Sequence, residues 1–346
     1  MGFFSNLFKK KVEDQPTPVT VGITVKTEVV APNLDIPPLQ DNYAKAIFLW
    51  ANSKVSPIKE TDSYARYFLY ECGIRDTAAY HRELIAAGYF EEASVEQSLN
   101  SLKVTELKEI LATLGQSTTG KKDALIWRVA NNVDDSLLAH YCPKKMYVLS
   151  EKGQAFLQEH EDYVMVHKHK NWGIGWKEYD AHKTPGKSYY DTMWSIFNEQ
   201  LSNDPHHCGR STYLFMCQLA HEEGNRAYAL QMLLHVLYID LSGVEGTVWY
   251  DMYRQGIYKE KELRECFNIA IMLAPGIVEP IEDFADIYSD DLVDMLYEQT
   301  LPVQVCEKKL FLSIVHSALD GTYDQETAEE KLKRAYYKYL RENIFQ

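Results

Sequence analysis

No stretch of the chain stays apolar over the roughly 18 residues that a membrane-crossing helix requires, and no apolar segment with a small-residue cleavage site opens it. The expectation is a protein that is neither integral nor secreted. Cysteine is sparse: Cys72, Cys142, Cys208, Cys217, Cys266 and Cys306 show no C-x-x-C spacing and no short-range framework, so reduced thiols and a cytoplasmic setting are expected. The signatures of familiar catalysis are missing too. There is no G-x-x-x-x-G-K-[ST], no G-x-S-x-G and no H-E-x-x-H. Gly173 and Gly175 are too few for a dinucleotide loop. His206-His207-Cys208 has adjacent side chains that point apart and no second cluster at ligand spacing. Asp290-Asp291 and Glu282-Asp283 read as solvated faces or helix starts. These absences predict no enzyme, with no catalytic residue, no metal and no cofactor.

What is present is an ordinary globular composition, with 46% hydrophobic and 25% charged residues over 346 positions, enough for two or three domains. The net charge of −14 is unevenly spread. Residues 189–346 carry 13 Lys and Arg against 26 Asp and Glu, whereas residues 1–188 carry 23 against 24. An acidic half repels phosphate and anionic lipid at long range, so any nucleic-acid contact is expected in the N-terminal half.

Residues 1–41 are expected to be a flexible tail and linker. In MGFFSNLFKKK, Phe4, Leu7 and Phe8 share a helical face ahead of three lysines, at best a weak membrane-surface contact through residues 1–11, and residues 12–41 carry five prolines without helical periodicity. Apolar spacing then predicts helices over 42–53 and 61–72, and a third over 77–87 that starts at Asp76 and stops at Gly88. Tyr147–Ser150 reads as a strand and Glu151–His160 as a helix. This order resembles a winged helix-turn-helix, split as 42–96 and 140–165. The would-be recognition helix, TAAYHRELIAA, holds only Arg82 and Glu83 as full charges. A major-groove reader projects several Arg, Asn, Gln or Lys side chains, so the winged part is expected to be a scaffold.

Residues 102–130 read LKVTELKEILATLGQSTTGKKDALIWRVA. Leu102, Val104, Leu107, Ile110, Leu111 and Leu114 form one helical stripe that ends at Gly115, and Leu125, Ile126 and Val129 form a second. Gly120 lets the backbone approach a ligand closely, the second helix opens with unpaired N–H groups, and Lys121 and Lys122 add charge there. A phosphate suits that corner. Ser117, Thr118 and Thr119 offer hydroxyls, and Lys103 and Lys108 further charge.

The sequence Glu106-Leu107-Lys108, Gly115, Ser117-Thr118-Thr119, Gly120-Lys121-Lys122 and Leu125-Ile126-Trp127-Arg128 resembles a SAP domain over residues 97–133, in a protein of bacterial or phage type. Gln116 departs from the pattern, where an apolar residue usually follows the first glycine. The resemblance implies DNA binding, mostly to backbone and often favouring A·T-rich duplex. The nucleic-acid-binding residues it implies are Lys103, Lys108, Ser117, Thr118, Thr119, Gly120, Lys121 and Lys122. Trp127 should face outward, where docking on a neighbouring domain is favoured over stacking on a base. Residues 166–187, where lysines and histidines interleave with Trp172, Trp176 and Tyr179, read as a basic aromatic linker and a candidate second contact.

From residue 188 to 346 helix signals dominate: 191–201, 211–223, 227–241, 261–273, 281–287, 292–299, 307–318 and 325–343. The pair around Gly224 resembles a tetratricopeptide-like hairpin, without a 34-residue period. The fold class expected is mainly α and multidomain: a SAP helix-loop-helix, a winged-helix-like N-terminal domain and an acidic α-helical, repeat-like C-terminal domain that recruits an unknown protein partner. The reading is a DNA-binding accessory protein. Its rival is an interaction scaffold, peripheral to membrane, without direct DNA contact.

Overall fold

The computed structural model describes residues 36–204 and 209–346. The N-terminal anchor expected over 1–11, most of the linker and His206-His207-Cys208 lie outside the described residues. The chain is mainly α, as expected, and its described residues divide into two compact units, one holding residues 36–180 and the other residues 181–346.

The first unit begins with α1, Asp41–Ala51, whose Tyr43, Ala44, Ala46, Ile47, Phe48 and Leu49 are buried. Next come β1 (Ser56–Pro57), α2 (Tyr67–Tyr70), α3 (Thr77–Ala86) and β2 (Phe90–Glu92). The helix predicted over 61–72 contracts to a 3-10 turn at Thr61–Ser63 and the four residues of α2. Tyr64 is drawn inward by rings rather than by helical spacing: its ring lies 5.9 Å from Phe48, and its hydroxyl accepts the Lys59 N–H at 3.1 Å. The α3 boundaries follow the expectation. Asp76 Oδ1 accepts from the Ala79 N–H at 2.9 Å, and Gly88 takes φ +79.

After β2 the chain leaves the sheet for four short helices, α4 (Val95–Leu99), α5 (Val104–Thr113), α6 (Lys122–Ala130) and α7 (Asp135–Tyr141). It returns as β3, Met146–Leu149, which pairs antiparallel with both earlier strands in the order β1-β3-β2. Pro57 is tolerated in β1 because that strand is at the sheet edge. The ends of the excursion are clamped: Ala93 N–H donates to Met146 O at 2.9 Å, and Lys145 pairs with Glu92 at 2.8 Å.

Then follow α8 (Glu151–Glu159), α9 (Glu161–Lys168) and α10 (Trp176–His182). Ser150 caps α8 and its hydroxyl also donates to Gly88 O at 2.6 Å, tying α8 to the turn after α3. Gly153 is required there, since a Cβ on it would stand 2.1 Å from Tyr89 O. The expected linker at 166–187 is largely helical instead. Trp172 and Tyr179 are buried, and the Lys168, Lys170 and Lys177 ammonium groups sit over the rings of Trp50, Tyr67 and Trp176. Trp172 and Tyr179, being buried, offer no platform to a base, while Trp176 is half-buried.

The acidic unit contains α11 (Tyr189–Asn203), α12 (Arg210–Glu222), α13 (Arg226–Ser242), α14 (Thr247–Arg254), α15 (Glu260–Glu265), α16 (Phe267–Ala270), α17 (Pro275–Val278), α18 (Asp291–Glu298), α19 (Lys308–Leu319) and α20 (Gln325–Asn343). The hairpin around Gly224 forms as its spacing implied, with Asn225 N–H returning to Ala220 O at 2.8 Å. α13 is apolar nearly all round because it is the unit's central helix. Its one carboxylate, Asp240, is buried and held by the Arg210 guanidinium through two hydrogen bonds. The helix predicted over 261–273 breaks at Cys266 into α15 and α16, and 281–287 is 3-10 over Glu279–Phe284. No single helix among the described residues is long and apolar enough to cross a membrane. Among the described residues, no group of three or more His, Cys, Asp or Glu stands ready for a metal, and the described cysteines are free.

Candidate nucleic-acid interface

Helices this short are unstable alone and depend on a shared core. Leu99, Leu102, Leu107, Ile110, Leu111, Leu125, Ile126 and Val129 supply it, with Leu137, Leu138 and Tyr141 of α7 packed against it. The apolar core thus extends past residue 133 to α7. Each start has a local cause. Ser94 and Gln97 exchange hydrogen bonds across the first turn of α4, and Glu106 accepts the Lys103 N–H at 2.6 Å at the start of α5.

α5 ends in a left-handed turn at Gly115, φ +67. Gln116 N–H returns to Leu111 O at 2.7 Å and Gly115 N–H to Ala112 O at 3.1 Å. This turn usually brings an apolar side chain back onto the helix at the position of Gln116. Here Gln116 is exposed, and the loop is held from the other side. Arg128, on α6, donates from Nη1 to the backbone oxygens of Ser117 and Thr119, the latter at 3.1 Å. Ser117 and Thr119 hydroxyls bond to each other at 2.9 Å.

Gly120 takes φ +125, which an L side chain rarely adopts, and a Cβ there would meet only the Ala124 Cβ at 3.5 Å. The chain then enters α6 with no side-chain cap at Lys121. Among the described residues, then, no side-chain cap closes the first turn at the positive end of this helix. The Lys121 side chain is exposed and makes no hydrogen bond or ion pair among the described residues. Asp123, exposed in the same first turn, opposes it.

The structure thus brings Ser117, Thr118, Thr119, Gly120 and Lys121 into one loop against the start of α6. It assigns Lys122 differently. The Lys122 ammonium donates to Asn100 O at 2.8 Å, binding α6 to the end of α4, so its charge is half-buried and committed inside the module. Lys103, at the entry to α5, and Lys108, on it, are exposed, Lys103 only three residues beyond Asn100.

Residues 98–133 match the family model of the SAP domain. This segment is a SAP domain. No curated protein and no solved structure matches the chain. SAP domains generally bind nucleic acids, which fits the uncapped helix start and the exposed lysine beside it. Arg128 braces the SAP loop, a role that the stretch Leu125-Ile126-Trp127-Arg128 did not by itself reveal. What would have found its role is the count of loop carbonyls left without donors between Gly115 and Lys121. Arg128→Ala should leave the helices in place yet free the loop. Amide exchange at 117–120 should speed up while that of Leu111 and Leu125 holds, and the module should lose about 1–2 kcal/mol. Unchanged exchange in the loop would refute the bracing role.

Proposed function

We propose that the chain is a DNA-binding accessory protein that grips the phosphate backbone through its SAP module. The observation that carries this reading is the open amino end of α6 with exposed Lys121 at its entrance and glycine beside it. A·T-rich duplex is the proposed target, in keeping with contacts made to backbone and groove shape rather than to base edges. The host is read as a winged helix with the SAP module inserted in its wing. The order α1-β1-α2-α3-β2-β3 and the sheet order β1-β3-β2 support that reading. The exposed charges of α3 are Arg82 and Glu83 alone, which favours a scaffolding role for the host over base reading. The acidic helical unit, repelled by phosphate, is proposed to recruit a protein partner rather than to touch DNA. A cytoplasmic, non-enzymatic role belongs to the same proposal.

The test is an anisotropy titration of the full-length protein on A·T-rich and G·C-rich duplexes at two salt concentrations. Lys121→Glu should weaken binding about tenfold at low salt and reduce the salt slope by about 1. Lys122→Ala should instead lower the thermal stability of the module, because it removes the tie to Asn100 O. Equal affinity and slope in wild type and Lys121→Glu would defeat the site.

A further inference from the structure

Trp127 is 63% exposed in the middle of α6. No ring, cation or hydrogen-bonding group among the described residues engages its indole, so the expected docking on a neighbouring domain is not what the structure has. Its position on the helix is specific. Residues four apart lie about 40° from one another around the axis and about 6 Å along it, which sets Trp127 one turn beyond Asp123 on one face. Between the indole and the amino end the surface is low, formed by Gly120 and Ala124, both exposed.

A phosphate received by the first-turn amides would leave the adjoining nucleotide above this shelf, within reach of the indole. Asp123 then discriminates between parts of that nucleotide. Its carboxylate repels a second phosphate, yet it accepts a hydrogen bond from the exocyclic amine of a base. Aromatic side chains stack on bases of any sequence provided the base face is free, which in an intact duplex it is not.

We propose that Trp127 stacks on an unpaired base of the strand whose phosphate sits at the start of α6, with Asp123 facing the edge of that base. The ligand class is single-stranded nucleic acid, or duplex carrying an unpaired nucleotide. This rests on the phosphate site proposed above and adds a base contact to it.

The experiment uses the full-length protein with four labelled probes: an A·T-rich duplex, the same duplex with a one-nucleotide bulge, and single-stranded dC and dT tracts of equal length. Trp127→Ala should lose about tenfold on the bulged and single-stranded probes, with a smaller change on intact duplex, and Trp127→Phe should recover most of the loss. Asp123→Asn should tighten binding to every probe and narrow the preference for dC over dT. If Trp127→Ala binds all four probes as wild type does while Lys121→Glu still weakens them, the base contact is wrong and the phosphate site stands. If Lys121→Glu changes nothing either, both fall. Matching thermal melts of the variants exclude misfolding, since Trp127 and Asp123 are both at the surface.

Discussion

Leu125→Ala is expected to unfold the SAP module and abolish nucleic-acid binding while the rest of the N-terminal unit stays folded. Leu125 is completely buried, at the centre of a core assembled from α4, α5, α6 and α7. Truncating a buried leucine costs about 2–5 kcal/mol, because the lost transfer energy is joined by the cavity left behind. A core of this size supplies only about 3–5 kcal/mol of net stability, so one such truncation removes most of it. The host has a core of its own, in which the Phe48 ring packs against Tyr64, Phe68, Tyr80, His81 and Phe90. The two meet at the paired ends of β2 and β3, where Lys145 and Glu92 close the excursion. Amide exchange should therefore show residues 95–142 unprotected in the variant and residues 41–51 and 146–149 still protected, with duplex anisotropy flat. Loss of protection throughout residues 41–168 would mean instead that insert and host fold as one cooperative unit.

The parts of this architecture legible in the sequence are those fixed by local chemistry. Asp76 and Gly88 bound α3, Gly115 ends α5, and the stripe of Leu125, Ile126 and Val129 faces the core, because caps, left-handed glycines and apolar spacing act within one or two turns. What escaped the sequence depends on distant partners. Lys122 looks like Lys121 in the chain, yet it lies against a carbonyl 22 residues away. Strand β1, two residues long and ending in proline, exists only because β3 pairs with it. The lysines and aromatics of 167–177 suggested an open binding segment. Only the tertiary structure reveals that Trp172 and Tyr179 turn inward and that the lysines lie over the rings of Trp50, Tyr67 and Trp176. The same limit applied to Arg128, whose long side chain spans from α6 to a loop that the sequence marks only by its hydroxyls and glycines.

Acidification from pH 7 to 4 is expected to cost the N-terminal unit about 3 kcal/mol through His81 alone. The ring is completely buried, 4.7 Å from Phe90 and 5.3 Å from Phe48. Tyr64 Oη accepts the Lys59 N–H at 3.1 Å and shares a hydrogen bond with His81 Nδ1 at 2.8 Å. His81 Nε2 is buried without a partner among the described residues. An imidazolium there would be a desolvated cation whose Nε2–H has no acceptor among the described residues, and burial, with a smaller push from the Lys59 charge, lowers the pKa to about 4. In the unfolded chain the same group titrates near about 6.5, so the unfolded state takes up the proton first as pH falls. The contribution of neutral His81 is thus intact above about pH 6.5, declines from there to about pH 4 and then levels off; at about 1.36 kcal/mol per pH unit the interval is worth about 3 kcal/mol. Glu71 extends the loss to lower pH. Burial raises its carboxyl, but hydrogen bonds from His167 and Tyr43 and the His167 and Lys170 charges outweigh burial and hold it below the usual range, so its stabilisation fades only as pH falls past that range. His81→Phe keeps the ring volume and removes the titration. Urea unfolding between pH 7 and 4 should then give a nearly flat profile for the variant against a falling one for wild type, and parallel profiles would show that another group carries the acid sensitivity.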